Sequence, residues 1–219
     1  MKFRTVFVPI VLASAFGSAF GDVYDFASWT SGSSTGAFGT VDGVGVTVSG
    51  PLLFVNGDSA FNYIAGFDST YESALVSNLP TDGDLIGMTG GPNTGTYTVT
   101  FSKAVYDPIF DWVSLGQGND PVSINYGQNI SLLSEGPGWW GGAVGDTYQS
   151  GNSIVGTEGD GTVLVSGWVT SVTFTAPNSE NWYGFEVGTN SSAASGVPGP
   201  AAIAPFAVGL FGLLRRKKA

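Results

Sequence analysis

Gly95-Thr96-Tyr97-Thr98-Val99-Thr100-Phe101-Ser102 decides the fold. Tyr97, Val99 and Phe101 alternate with Thr96, Thr98 and Thr100. That period of two belongs to a strand with one face buried and one in water. Working outward, residues 171–176 repeat it, with Val172, Phe174 and Ala176 facing one way. Residues 182–187 place Tyr183, Phe185 and Val187 on one face and Glu186 on the other. Further strands are predicted at 41–48, 85–88, 109–115, 122–125, 130–133 and 162–165. Turn-forming runs separate them: Asp82-Gly83, Gly90-Gly91-Pro92, Gly136-Pro137-Gly138 and Gly159-Asp160-Gly161. Only residues 68–79 offer a helix, opened by Ser69 and Glu72 in the spacing of a capping box. Many short strands with frequent turns predict an all-β chain: a single antiparallel β-sandwich, jelly-roll-like, over residues 22–189.

Both ends of the chain differ from this middle. Residues 1–21 read as a signal peptide. Lys2 and Arg4 form a basic start, residues 6–16 are apolar, and Ala19-Phe20-Gly21 supplies small residues for cleavage before Asp22. Residues 190–196 are rich in serine and alanine and read as a flexible linker. The last segment, 197–219, is Val197-Pro198-Gly199-Pro200, an uncharged apolar run over 201–214, and Arg215-Arg216-Lys217-Lys218. As a helix the run rises ~21 Å, against a bilayer core of roughly 30 Å. Pro205 interrupts it and removes a helical hydrogen bond. A short, broken span suits a processed signal better than a permanent anchor. The basic end stays in the cytoplasm, which leaves the middle of the chain outside.

Charge sharpens the division. Six of the seven basic residues lie in the two terminal segments. Residues 22–196 carry one lysine, Lys103, against seventeen acidic residues, a net of −16. A domain so acidic and without arginine is a poor partner for nucleic acid, anionic lipid or phosphorylated ligands. The chain has no cysteine and no histidine. Thiol chemistry, the usual catalytic triads and most zinc sites are therefore absent. A carboxylate pair of the kind glycosidases use remains, but seventeen acids offer pairs by number alone.

Two motifs could bind something. Asp82-Gly83-Asp84 and Glu158-Gly159-Asp160 put carboxylates on tight turns where calcium could gather oxygens, without EF-hand spacing. Trp139-Trp140 lies between Gly138 and Gly141-Gly142. Neighbours in an extended segment point to opposite faces, so both rings cannot enter one core. One is expected to be exposed, where an indole can stack on a sugar ring. Trp112 and Trp168 lie in strand-like runs and are expected in the core.

The tail of proline tetrapeptide, short apolar run and basic end resembles the PEP-CTERM sorting signal of bacterial envelope proteins. That family typically has Val-Pro-Glu-Pro where this chain has Val197-Pro198-Gly199-Pro200. The resemblance implies an exosortase-type membrane protease as partner and a bacterium that makes extracellular polysaccharide. Residues 101–108, 113–116, 156–162 and 181–185 look like segments of small β cargo domains that carry such tails. That likeness implies a sandwich with no established enzymatic activity. The expected protein is exported, held transiently in the inner membrane, then placed in the envelope or extracellular matrix. A structural or matrix role is expected for it, with carbohydrate binding as the alternative and a polysaccharide-active enzyme as the remote one.

Overall fold

The computed structural model describes residues 21–190. The expected signal peptide before Gly21, the linker after Asn190 and the sorting tail 197–219 lie outside the described residues. The chain opens with β1 (Tyr24–Phe26) and a meander of β2 (Ser28–Ser33), β3 (Gly36–Val41) and β4 (Val44–Ser49). After β5 (Phe54–Val55), a long excursion over 56–85 contains α1 (Asp68–Tyr71) and returns at β6 (Ile86–Met88). The remaining strands are β7 (Thr96–Tyr106), β8 (Ile109–Leu115), β9 (Val122–Tyr126), β10 (Ile130–Gly136) and β11 (Thr147–Ser150). They end with β12 (Ser153–Gly156), β13 (Gly159–Val165), β14 (Trp168–Thr175) and β15 (Tyr183–Asn190).

These strands form two antiparallel sheets. One is eight-stranded, in the order β11-β12-β9-β14-β7-β4-β3-β2. The other is seven-stranded, in the order β10-β13-β8-β15-β6-β5, with β1 also paired to β15. Their facing sides make the main core. The first sheet contributes Val46, Tyr97, Val99, Phe101, Ile124, Val172 and Phe174; the second contributes Phe110, Trp112, Val163, Phe185 and Val187. Phe174 lies at its centre, 5.3 Å from Tyr97 and 5.5 Å from Trp112 between ring centroids. The Trp112 indole N–H donates to the Tyr126 hydroxyl at 2.7 Å, which ties the sheets together and satisfies a buried donor.

The outer faces of the sheets differ. In the eight-stranded sheet, β4 and β7 alternate buried and accessible positions as the opening sequence predicts. In the seven-stranded sheet, β8, β13 and β15 are buried on both faces. The excursion 56–85 covers that outer face. It packs Ile64, Tyr71 and Leu85 onto Val113, with Phe54, Tyr63, Phe67, Leu79 and Trp182 around them. Glu186 does face away from the core, but into this cover rather than into water, and is 2% exposed.

Three expectations need correction. Residues 41–48 are not one strand. Asp42 and Gly43 take φ of 46° and 65° and turn β3 into β4, with Val41 paired to Val44. This is the two-residue Asp-Gly hairpin turn, in which both central residues need positive φ. Residues 68–79 are not a helix beyond Tyr71. The capping position is Phe67, with no side-chain hydrogen bond, and Glu72 is already extended. A single turn makes too few hydrogen bonds to propagate through Ser73, Val76 and Ser77. Trp168 is not in the core, being 47% exposed. The register of β14 breaks between Val169 and Ser171, where two residues of β14 oppose five of β7, and an odd offset turns a side chain to the other face.

Candidate aromatic binding site

The segment joining β10 to β11 carries the two tryptophans on a tight turn. Gly138 N–H donates to Gly141 O at 2.7 Å, and Gly141 N–H donates back to Gly138 O at 3.1 Å. Trp139 and Trp140 occupy the tip, 52% and 45% exposed. The expectation that neighbours face opposite ways fails here because the backbone turns rather than extends. Both rings enter one aromatic cluster, and both remain half in water.

Tyr63 is the hub of that cluster. Its ring lies 4.9 Å from Phe61, 4.8 Å from Trp140 and 5.5 Å from Trp182. Trp139 packs edge-on against Phe61 at 4.5 Å, and Trp140 against Trp182 at 4.7 Å. Phe54 closes the base, 5.4 Å from Trp182. Edge-on and tilted packing is the arrangement that the ring quadrupole favours. Phe61, 51% exposed, completes an outward rim with the two tryptophans. Sequence reading missed Phe61 and Tyr63; their spacing of two in a turn-rich excursion was the only available signal.

The turn is held from below. Thr70 Oγ1 donates to Pro137 O at 2.7 Å. The Asp160 carboxylate lies directly against Gly138, where a Cβ would come within 2.3 Å of its Cγ. Asp160 Oδ1 accepts from the Tyr71 hydroxyl at 2.7 Å and from Ser114 N–H at 3.2 Å. Burial pushes the Asp160 carboxyl up to about 7, against the lowering effect of these two donors. The far side of the loop is braced as well. Gly145 N–H donates to Glu135 Oε2 at 2.7 Å, and Ala143 N–H donates to Asp146 Oδ2 at 2.6 Å. Fixing the rim beforehand lowers the ordering cost of binding.

The turn carboxylates separate. Asp82 is exposed, whereas Asp84 is buried and its Oδ1 accepts from Trp29 N–H at 3.0 Å. Glu158 is half-buried with φ of 58°, and Asp160 serves the tryptophan turn. Among the described residues no three acidic side chains are grouped so that they could hold a metal ion. The deepest acids sit under the cover instead. Glu186 and Asp111 are directly opposite in register, and Thr162 Oγ1 donates to Asp111 Oδ1 at 2.6 Å. Burial pushes Asp111 up to about 7; burial first, then the Asp111 charge, pushes Glu186 well above the usual carboxylate range. No helix among the described residues is long and apolar enough to cross a membrane.

Searches against protein-family models, curated proteins and solved structures return no match to this chain.

Proposed function

We propose that this chain is an exported protein of the bacterial envelope or extracellular matrix, and that its sandwich holds matrix polysaccharide without acting on it. The observation that carries the reading is the rim of Phe61, Trp139 and Trp140, half exposed on a turn that is braced from both sides. Large aromatic surface left in water beside polar groups is characteristic of a binding surface rather than of surplus core. A neutral sugar suits it, because a domain of net −16 repels acidic polymers. Asp111, Asp160 and Glu186 are each no more than 2% exposed, which supports a binding role over hydrolysis. Alternate crossing of strands between the sheets from β7 to β10 supports a jelly-roll-like connectivity.

Delivery belongs to the same proposal. Residues 1–21 start export, and residues 201–214 halt it in the inner membrane. Arg215–Lys218 stay in the cytoplasm, and Val197-Pro198-Gly199-Pro200 meets an exosortase-type protease. No nucleic-acid partner and no resident cofactor enter the scheme. Calcium at Asp82, Asp84, Glu158 or Asp160 is not part of it either. Expressed in its host, the chain should co-purify with the polysaccharide matrix and lack its basic end. A Trp139→Ala/Trp140→Ala variant should be exported and processed equally but be retained less firmly by the matrix. Equal retention of both forms contradicts the binding reading, and an intact terminus at Ala219 contradicts the sorting reading.

A further inference from the structure

We infer that the sandwich carries a second saccharide site at its opposite end, formed by Tyr106 and Trp168, and that the protein cross-links glycan chains. This rests on the glycan reading above. Tyr106 closes β7 and Trp168 opens β14, and the two are register partners. Their side chains therefore project from the same face, with ring centroids 5.3 Å apart and planes tilted by 50°. They are 40% and 47% exposed. The corner behind them is locked: Gly167 N–H donates to Asp107 Oδ1 at 2.5 Å, and Asp107 N–H donates to Gly167 O at 3.1 Å. A pair of half-exposed rings is again held beside a hydrogen-bonded corner.

The rings border a groove of about 440 Å³, within the range of small-molecule sites. Val44 and Val105 give it apolar walls, while Lys103 and Asp42 add a charged donor and a charged acceptor. Lys103 is the only basic residue among the described residues. Thr189 also lines the groove; it is 3% exposed and its Oγ1 has no hydrogen-bond partner.

The chemistry selects among occupants. An anionic membrane would need a basic surround, and this groove pairs one lysine with one aspartate. A stable protein partner would need roughly 800 Å² from each side, more than two rings and two valines supply. A sugar ring needs an apolar face to stack on and mixed donors and acceptors at its edge, and the groove offers both. The two sites lie apart: β15 runs from Tyr183, next to Trp182 of the first cluster, to Thr189 and Asn190 at this groove. At ~3.3 Å per residue that strand separates them by roughly 23 Å. Sites at opposite ends can hold two polymer chains at once, which is what cross-linking requires.

Calorimetry of the full chain in detergent with cellohexaose, and viscosity of hydroxyethyl cellulose mixed with the protein, test this. Two sugars should bind per chain, and the polymer should thicken. Trp168→Ala and, separately, Lys103→Met with Tyr106→Ala should each leave one bound sugar and abolish thickening, with unchanged melting temperature. The Trp139→Ala/Trp140→Ala variant should also leave one bound sugar, at the other end. One sugar per wild-type chain, lost only with Trp139 and Trp140, overturns the second site and leaves the first standing. Thickening that survives Trp168→Ala overturns cross-linking through this groove. No sugar bound by wild type overturns both sites for this class of polymer.

Discussion

The outer faces of the two sheets are made from similar strands and meet different surroundings. On the eight-stranded sheet, Thr47, Thr100 and Ser49 stand outward in water, and the strand needs nothing more on that side. On the seven-stranded sheet, the same alternation turns Asp111, Thr162 and Glu186 outward, and the excursion 56–85 then buries them. Asp111 Oδ2 and Glu186 Oε2 are left without hydrogen-bond partners. Directly opposed like charges destabilise a sheet, and a buried charge without a partner costs more still. The pair is tolerable only with protons retained, in keeping with the upward push that burial gives both groups. The covered face thus carries a polar burden that the open face avoids. In return the cover supplies Phe61, Tyr63 and the Thr70 and Tyr71 contacts that build the aromatic rim.

Emptying the cover should cost the most stability. Leu85 is 1% exposed and packs with Ile64, Tyr71 and Val113. Leu85→Ala should lower stability by about 2–5 kcal/mol, read as the denaturant midpoint at constant slope. A change under 1 kcal/mol would mean that the excursion rests only loosely on the sheet.

Next comes the joint between cover and rim. Gly138→Ala would place its Cβ 2.3 Å from the Asp160 carboxylate carbon. The turn must then shift, at a cost of roughly 1–3 kcal/mol. Sugar binding should weaken while Trp139 and Trp140 remain in place. Unchanged binding would show that the turn's exact height over Asp160 does not matter.

The buried acids give a pH effect of intermediate size. Burial raises Asp160 from 3.8 to about 7, so the folded state holds its proton more tightly than the unfolded chain. That contribution is full below pH 3.8 and is lost as pH rises through about 7. Melting temperature should therefore be higher at pH 5 than at pH 8. Asp160→Asn, which still accepts the Tyr71 hydroxyl, should flatten part of the slope. A melting temperature that rises with pH over this interval would contradict protonated burial.

The smallest effect belongs to the open face. Thr100 is exposed between Thr47 and Ser171. Thr100→Ala should change stability by no more than about 0.5 kcal/mol. A larger loss would mean that this face is also covered, by chain beyond the described residues or by a second copy.

The open face was the legible one. Tyr97, Val99 and Phe101 announced β7, and Val172 and Phe174 announced β14, because a face left in water must be polar at every second residue. The covered face hides its partner. Residues 109–115 read as a strand, but nothing in them says that Asp111 will meet a loop arriving from 56–85. The excursion itself has no period, since its contacts are made one side chain at a time. Trp139-Trp140 stood out by composition, yet the turn that presents both rings depends on Asp160 and Thr70, distant in sequence. Trp168 misled because a register break reverses the parity that the residues after it suggest. Asp42-Gly43 was a readable hairpin signal that the apolar run on either side concealed.

Affinity electrophoresis through gels containing hydroxyethyl cellulose reads whether Trp139 and Trp140 hold neutral polysaccharide. Each ring is expected to contribute about 1 kcal/mol, near fivefold in affinity. In the Trp168→Ala background, which isolates this end, the Trp139→Ala/Trp140→Ala variant should bind the gel polymer roughly thirty-fold more weakly. Equal retardation of the two folded proteins would contradict it.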